Sequence, residues 1–130
     1  MTAAAARACG FVEASLGPAL QSLIVESALA LPGAVLPARP IGVMYMEDDG
    51  GMDEKIIAVP TNKMYPYYAN IQSYKDLPQI QIDQIKHFFG HYKDLEPGKW
   101  AKVGDFGDAD AAKKMIREGL ERAQKQGAAA

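Results

Sequence analysis

Two short apolar runs separated by a polar turn begin the most clearly patterned part of the chain. The runs are IGVMYM at 41–46 and KIIAVP at 55–60, and the turn between them is EDDGGMDE at 47–54. Apolar runs of this length that end at turn residues are typical of β-strands. Gly50 and Gly51 supply the backbone freedom that a tight turn needs. The pattern therefore predicts a β-hairpin with an acidic turn.

Helical periodicity appears twice in the second half of the chain. The segment 79–92 carries apolar side chains at the spacing of an amphipathic helix, namely Ile82, Ile85, Phe88, Phe89 and Tyr92. A last helix is predicted from about Asp108, an N-cap candidate, to about Lys125. Its expected inner face consists of Ala112, Met115, Ile116, Leu120 and Ala123. A short strand is predicted at 100–104, and 61–79 has the composition of a loop.

The first 39 residues have a weaker pattern and a different composition. They contain four charged residues and no Lys, Asp or Tyr. Within ALQSLIVESALAL at 19–31, apolar residues fall roughly on one side of a helical wheel and predict a short helix, namely Leu20, Leu23, Ile24 and Leu31. The change of composition predicts a boundary between an Ala/Leu/Pro-rich segment at 1–39 and a domain at 40–130.

Composition narrows the class of protein further. The chain has 130 residues, 48% of them hydrophobic and 23% charged, and a net charge of −2, as expected for one globular domain. This charge argues against a nucleic-acid partner, which usually binds a basic face. The single cysteine cannot form an internal disulfide, and no apolar run approaches the roughly 18 residues of a membrane span. With no signal peptide recognised, we expect a cytoplasmic protein without a membrane partner.

The acidic turn is the strongest candidate for chemistry. It crowds five carboxylates together, and Asp48 and Asp53 lie at the two ends of its Gly-Gly bend. Mg²⁺ prefers carboxylate oxygens, and Lys55 would bring a cation to the same place. Carboxylates that hold a metal beside a lysine suit a phosphate ester or anhydride, because both cations neutralise its oxygens. The alternative is a solvated hairpin tip with no ligand, which this spacing alone favours.

Two other pairs are weaker candidates. His87 and His91 are four residues apart, as in a zinc-binding HExxH helix, but Phe88 takes the Glu position and no third ligand is evident. Surface or interface histidines are the alternative that this pattern favours. Tyr92 and Lys93, at a helix end, offer a phenol and an ammonium group to a phosphate, or form an ordinary helix terminus.

Several segments together resemble a known family. RPIGVMYMEDDGGMDEKIIAVP, IQSYKDLP, QIKHFFGHYKDLEPGKW and KVGDFGDADAAKKMIREGLERA are similar to the C-terminal part of soluble family I inorganic pyrophosphatases of the bacterial type, over about Arg39 to Lys125. The resemblance implies an α+β fold, a partial OB-like β-barrel with two helices in its C-terminal half and N-terminal strands missing. It also implies Mg²⁺-dependent hydrolysis of pyrophosphate in phosphate metabolism, and a homo-oligomer.

The resemblance also implies a role for each candidate residue. Asp48 and Asp53 fall on metal-binding aspartates of the family, and Asp53 is the expected catalytic residue. Lys55 falls on a phosphate-contacting lysine. Tyr92 and Lys93 fall on a tyrosine–lysine pair that holds the phosphate groups.

One part of the family pattern has no counterpart. The family's D-x-D-P-x-D-like stretch, which supplies further metal ligands, is not recognisable in residues 1–39. In the acidic turn, Asp49 fits a neighbouring acidic position of the family and adds only a supporting carboxylate. We therefore expect a truncated site that binds Mg²⁺ poorly. Three interpretations stay open: an inorganic diphosphatase whose activity as this chain alone is in question, a non-catalytic remnant acting as an association or binding module, and a segment 1–39 translated from another reading frame or start.

Overall fold

The computed structural model of the protein describes the backbone of residues 11–15, 21–25 and 36–128. The described strands, numbered in chain order, are β1 (Phe11–Ser15), β2 (Gln21–Val25), β3 (Ala38–Asp48), β4 (Gly51–Met52), β5 (Lys55–Pro60) and β6 (Ala101–Asp108). The helices are α1 (Gln79–His91) and α2 (Ala109–Ala128). Two short 3₁₀ turns, Pro66–Tyr68 and Tyr74–Asp76, lie in the connection between β5 and α1.

All six strands belong to one sheet centred on β3. The order is β1-β2-β5-β3-β4, and β6 pairs with β3 as well. β2 runs parallel to β5, whereas the other pairs are antiparallel. The register of β3 shifts between Pro40 and Gly42 against β5, and between Met44 and Met46 against β6. Such irregularities bend a strand, and proline cannot donate a backbone hydrogen bond to the ladder.

The two helices cover opposite faces of the sheet. Along β5, Ile57 and Val59 belong to the larger core cluster, while Ile56 belongs to a smaller one. Because successive side chains of a strand point to opposite faces, the two clusters lie on the two faces. The larger cluster includes the buried residues of α1, Ile82, Ile85 and Phe89, and the smaller one includes Ala112 of α2.

The structure confirms most of the elements predicted from residue 40 onward. β5 and α1 have nearly the predicted bounds, β3 extends beyond the predicted 41–46 at both ends, and Asp108 immediately precedes α2. Its Oδ1 accepts a hydrogen bond of 2.8 Å from the backbone N–H of Ala109. β6 continues four residues beyond the predicted 100–104, because it pairs with β3 along Ala101–Asp108. An α+β fold with two helices in the C-terminal half is thus present.

Two sequence predictions are wrong. The predicted helix at 19–31 is not present at 21–25, which forms β2 because residues 21–24, including β-branched Ile24, pair with the buried strand β5. Leu20 and Leu31 lie outside the described residues. Two residues of the predicted inner face of α2 are also exposed, Leu120 (55%) and Ala123, because the side chains of this helix that pack on the core, among them Ala112, Met115 and Ile116, all lie before residue 117.

β1 and β2 lie within residues 1–39, the segment in which the N-terminal strands of the family were expected to be missing. The shortened barrel therefore stays a prediction. Within the described residues, no helix combines the length and the apolar character needed to cross a lipid bilayer.

Candidate functional site

The acidic turn has a defined backbone conformation. Asp48 pairs with Gly51 at the end of the hairpin, and Gly51 has a φ of 112°, which glycine adopts at little cost. The backbone N–H of Gly50 donates to Asp48 Oδ1 at 2.8 Å. The backbone N–H of Asp53 donates to the carbonyl of Met46 at 2.9 Å. These bonds hold Asp48 and Asp53 in place on the two sides of the turn.

The end of α1 meets this turn through Lys93. Its Nζ lies 2.7 Å from Asp48 Oδ2 and 3.0 Å from Asp49 Oδ1. The first of these contacts joins residues 45 positions apart in the sequence. The side chains of Lys93 and Asp48 are only 15% and 13% exposed, so both charges are largely withdrawn from water. Direct ion pairing offsets part of the cost of that desolvation.

Lys55 makes a second ion pair at the start of β5. Its Nζ donates to Asp53 Oδ1 at 2.9 Å, and its side chain is 3% exposed. The same Nζ lies 5.9 Å from the centroid of the Phe89 ring, within the range of a cation–π contact. The carboxylate of Asp53 offsets part of the desolvation cost of this buried ammonium group.

Aromatic rings connect the two ion pairs. Tyr92 packs edge-on against Phe89, with ring centroids 5.6 Å apart, and stacks on Phe88 at 5.9 Å. Lys93 Nζ lies 5.7 Å from the Tyr92 ring centroid. A chain of contacts therefore runs from Lys55 through Phe89 and Tyr92 to Lys93.

The ion pair at Lys93 shifts the pKa values of its members. Hydrogen bonding to the Lys93 ammonium group lowers the pKa of both Asp48 and Asp49 below the ordinary aspartate value, although desolvation opposes the shift. The same two bonds raise the pKa of Lys93. All three groups are therefore charged at neutral pH.

The predicted site residues thus fall into two neighbouring groups. Asp48 and Lys93 form one group together with Asp49, which sequence reasoning had given only a supporting place. Asp53 and Lys55 form the other group. The linking role of Phe89 was missed, because its helical spacing marks it only as a core residue. Its position three residues before Tyr92, on the same helix face, is the one signal that indicated a contact.

The donor set at the turn suits Mg²⁺ in its chemistry. Carboxylate oxygens are the ligands that this ion prefers, and it is commonly held by one or two carboxylates together with substrate phosphates. Asp48 and Asp53 each use one oxygen for a lysine and retain lone pairs for further partners. Among the described residues, however, no group of three or more His, Cys, Asp or Glu side chains is arranged to hold a metal ion.

The histidine pair lies on the exposed side of α1. The rings of His87 and His91 are 4.5 Å apart between centroids, and His91 Nδ1 lies 2.9 Å from Asp94 Oδ2. The absence of a three-residue metal cluster within the described part of the chain argues against a three-ligand zinc site of the HExxH type here.

Comparisons with known proteins agree with this architecture. A family model described as "Inorganic pyrophosphatase" matches residues 15–124. The inorganic pyrophosphatase of Agrobacterium fabrum is 53% identical over 121 residues, which cover 91% of this chain and 68% of that protein. The one from Brucella melitensis is 51% identical over 118 residues, covering 88% and 67%. The solved structure of the Helicobacter pylori inorganic pyrophosphatase superposes with a TM-score of 0.80 at 39% identity, covering 88% of this chain and 69% of that one.

The extent of these matches adds two facts. The chain spans about two thirds of the length of the curated relatives it matches. The family match starts at residue 15, so it reaches further toward the N-terminus than the motifs that begin at Arg39. Composition changes at residue 39, but the family match does not begin there, and a domain boundary at that position stays a prediction. With a family model over most of its length and close relatives that are named enzymes, the chain belongs to the soluble family I inorganic pyrophosphatases.

Proposed function

We propose that this chain takes part in the Mg²⁺-dependent hydrolysis of pyrophosphate to two phosphate ions. The observation that carries the proposal is the contact of Lys93 with Asp48 and Asp49, which brings a cation from the end of α1 to the acidic turn. A site for a phosphoric anhydride needs cations for its oxygens and carboxylates for a metal, side by side. The described part of the chain supplies both kinds of group within one small region.

In this proposal, the positive groups bind the substrate. Lys55 and Lys93 offer ammonium groups to phosphate oxygens and give up part of their bonds to Asp53 and Asp48 when they do so. Tyr92 offers a phenol hydroxyl beside Lys93, and its ring is held by Phe89. Fixed cations of this kind orient an anhydride and stabilise the charge that develops as it is cleaved.

The aspartates have the complementary role. Asp48 and Asp53 are the proposed Mg²⁺ ligands, and Asp49 adds negative charge beside them. When bound, Mg²⁺ supplies Lewis acidity toward a phosphoryl oxygen and lowers the pKa of a coordinated water. Asp53 is the proposed catalytic residue. Its carboxylate lies beside the buried ammonium group of Lys55 and could accept a hydrogen bond from the attacking water.

Phosphate release from pyrophosphate in the presence of Mg²⁺ tests the proposal. We expect turnover by the wild-type chain and its loss in Asp53→Asn, which removes a charge with little change in shape. Asp105→Asn is the matched control, because Asp105 is exposed on β6. Equal rates for Asp53→Asn and wild type would contradict the assignment of Asp53, and absence of turnover in both would favour the second function below.

A non-catalytic role as an association module is the second candidate. It is favoured by the absence, among residues 36–127, of three potential metal ligands in one group. In this case the chain would bind a full-length subunit of the family and contribute no turnover of its own. Co-expression with such a subunit, followed by sedimentation analysis, separates the two functions: a mixed oligomer whose activity is unaffected by Asp53→Asn in this chain supports the association role.

The remaining proposals follow from family membership and composition. We propose a cytoplasmic homo-oligomer without nucleic-acid or membrane partners, in which the face of α1 that bears His87 and His91 is a candidate contact. The shortened OB-like barrel belongs to the same proposal, because unpaired strand edges favour association. A monomer in sedimentation velocity at micromolar concentration would contradict the oligomer.

A further inference from the structure

The carboxylates of the acidic turn hold a cation that belongs to the chain itself, the ammonium group of Lys93. Its Nζ contacts Asp48 Oδ2 at 2.7 Å and Asp49 Oδ1 at 3.0 Å. The other oxygen of Asp48, Oδ1, accepts a hydrogen bond of 2.8 Å from the backbone N–H of Gly50. Both oxygens of Asp48, one of the two proposed Mg²⁺ ligands, are thus bonded to groups of the protein.

A divalent cation that binds Asp48 competes with this ammonium group. The two cations need the same carboxylate, and like charges that lie close together repel each other. Water screens this repulsion only weakly, because the side chains of Lys93 and Asp48 are largely buried. The bond to Lys93 therefore weakens the binding of Mg²⁺, and Mg²⁺ weakens the bond to Lys93 by the same factor.

The ammonium group of Lys93 can change partners while its backbone stays in place. The preceding residue, Tyr92, donates a backbone hydrogen bond of 2.9 Å to the carbonyl of Phe88, and its ring packs against Phe89. The lysine side chain itself has a flexible four-carbon stem and three rotatable donors. A displaced ammonium group thus stays close to the turn, where it can bind a phosphate oxygen.

The second ion pair of the site has less freedom. The Lys55 side chain is almost completely buried, and its Nζ lies between Asp53 Oδ1 and the ring of Phe89, a core residue. Closely packed core side chains leave little room for such a group to move. An exchange of partners is therefore expected of Lys93 and not of Lys55.

We infer that Lys93 is an internal competitor of Mg²⁺ at Asp48. The metal displaces its ammonium group, which then binds phosphate, so that Mg²⁺ and the substrate anion favour each other's binding. This inference rests on the proposed function, because it takes Asp48 as a Mg²⁺ ligand and Lys93 as a phosphate ligand. It adds a second cause, besides the small number of carboxylates, for a low Mg²⁺ affinity of the turn.

Calorimetric titration of the full chain with Mg²⁺, in the absence of phosphate and pyrophosphate, tests the inference. Lys93→Met removes the charge but keeps a long side chain, and it should raise the Mg²⁺ affinity at least about tenfold. Lys93→Arg keeps the charge, and its Mg²⁺ affinity should stay close to that of the wild type. Thermal melts without Mg²⁺ show whether each variant is folded.

Lys99→Met is the matched control. Lys99 interacts electrostatically with Asp49, but its direct partner is Glu96, at 2.8 Å. Its removal should change the Mg²⁺ affinity by no more than about twofold, because an exposed charge is well screened. An equal gain in Lys99→Met and Lys93→Met would show a general effect of lost positive charge and would overturn the inference.

Chemical labelling tests the same inference in the wild-type chain, without any variant. An acylating reagent modifies a lysine faster when carboxylates do not hold its nitrogen. We expect Mg²⁺ to increase the labelling rate of Lys93 several-fold and to leave that of Lys99 unchanged, as measured by mass spectrometry of the peptides.

The outcomes separate this inference from the proposed function. Equal Mg²⁺ affinities of wild type and Lys93→Met, or a labelling rate of Lys93 that Mg²⁺ does not change, would overturn the inference alone. The proposed function would still stand if the wild type hydrolyses pyrophosphate and Asp53→Asn does not. Absence of Mg²⁺ binding in all of these chains would overturn both the inference and the assignment of the metal ligands.

Discussion

The two helices of the protein differ in what they connect. α1 buries Ile82, Ile85 and Phe89 in the larger core cluster, and Lys93 just beyond its end contacts the acidic turn. α2 is longer by seven residues, yet Ala112 is its only residue in a buried cluster, and residues 120–127 are exposed. Length is thus a poor guide to the structural importance of a helix here. α1 joins the core to the candidate site, whereas the second half of α2 is mostly in contact with water.

Removing the Phe89 ring should have the largest effect, because this ring anchors α1 in the core. We expect Phe89→Ala to lower the free energy of unfolding by about 3–5 kcal/mol, because it leaves a cavity in the core. Phe89 is 1% exposed and also contacts Lys55 and Tyr92. Urea denaturation measures the change, and a loss below about 1 kcal/mol would contradict the packing described for this helix.

Lys93→Ala should have the next largest effect, on activity. If the chain turns over pyrophosphate, we expect kcat/KM to fall by about a hundredfold, the typical cost of removing one fixed charge-stabilising group. Lys99→Ala is the matched control, since Lys99 also pairs with an acid, Glu96, but is 50% exposed. Its kinetics should stay within a factor of two or so of wild type. Similar losses in both variants would remove Lys93 from the proposed site.

The start of α2 should respond to acid. Bonds from the Ser73 hydroxyl and the Ala109 N–H lower the pKa of Asp108. A carboxylate with a lowered folded-state pKa adds stability above its unfolded-state pKa of about 3.9, and this contribution is lost as the pH falls through the folded-state value. Thermal melts from pH 6 to pH 3 should therefore show Asp108→Asn less stable than wild type at pH 6, with the difference shrinking toward pH 3. A difference that is constant with pH would contradict this role of the charge.

Leu120→Ala should have the smallest effect. Leu120 is mostly exposed on the second half of α2, so we expect the free energy of unfolding to change by no more than about 0.5 kcal/mol. The same urea titration used for Phe89→Ala makes the comparison direct. A loss of about 2 kcal/mol or more would mean that another copy or a partner covers this side chain.

Local patterns were sufficient where local forces dominate. The hairpin and α1 could be predicted because strand runs, turn glycines and helical spacing are properties of neighbouring residues. β2 could not, because its strand conformation depends on pairing with β5, which lies some thirty residues further along the chain. The exposure of Leu120 depends on which part of α2 packs on the core, which periodicity does not reveal.

The candidate site shows the same limit. The charges of the acidic turn were evident, but spacing alone did not connect them with Lys93, and only the family resemblance put both in one site. The structure adds the contact itself and the equal part that Asp49 plays in it. The burial of Lys55 was also beyond prediction, because a lysine at the start of a strand is ordinarily solvated.

The parallel pairing of β2 with β5 has a consequence for the order of folding. The β3–β5 hairpin needs only a short loop to close, whereas Gln21 must find Lys55 across a much longer stretch of chain. Closing long loops costs more entropy before any contact repays it, so such pairings form late. We expect pulse-labelled amide exchange during refolding to show that the amides of β5 that bond to β3 are protected first. The amides of β2 should acquire protection last. Equal protection times for β2 and β3 would show that the sheet forms in a single step.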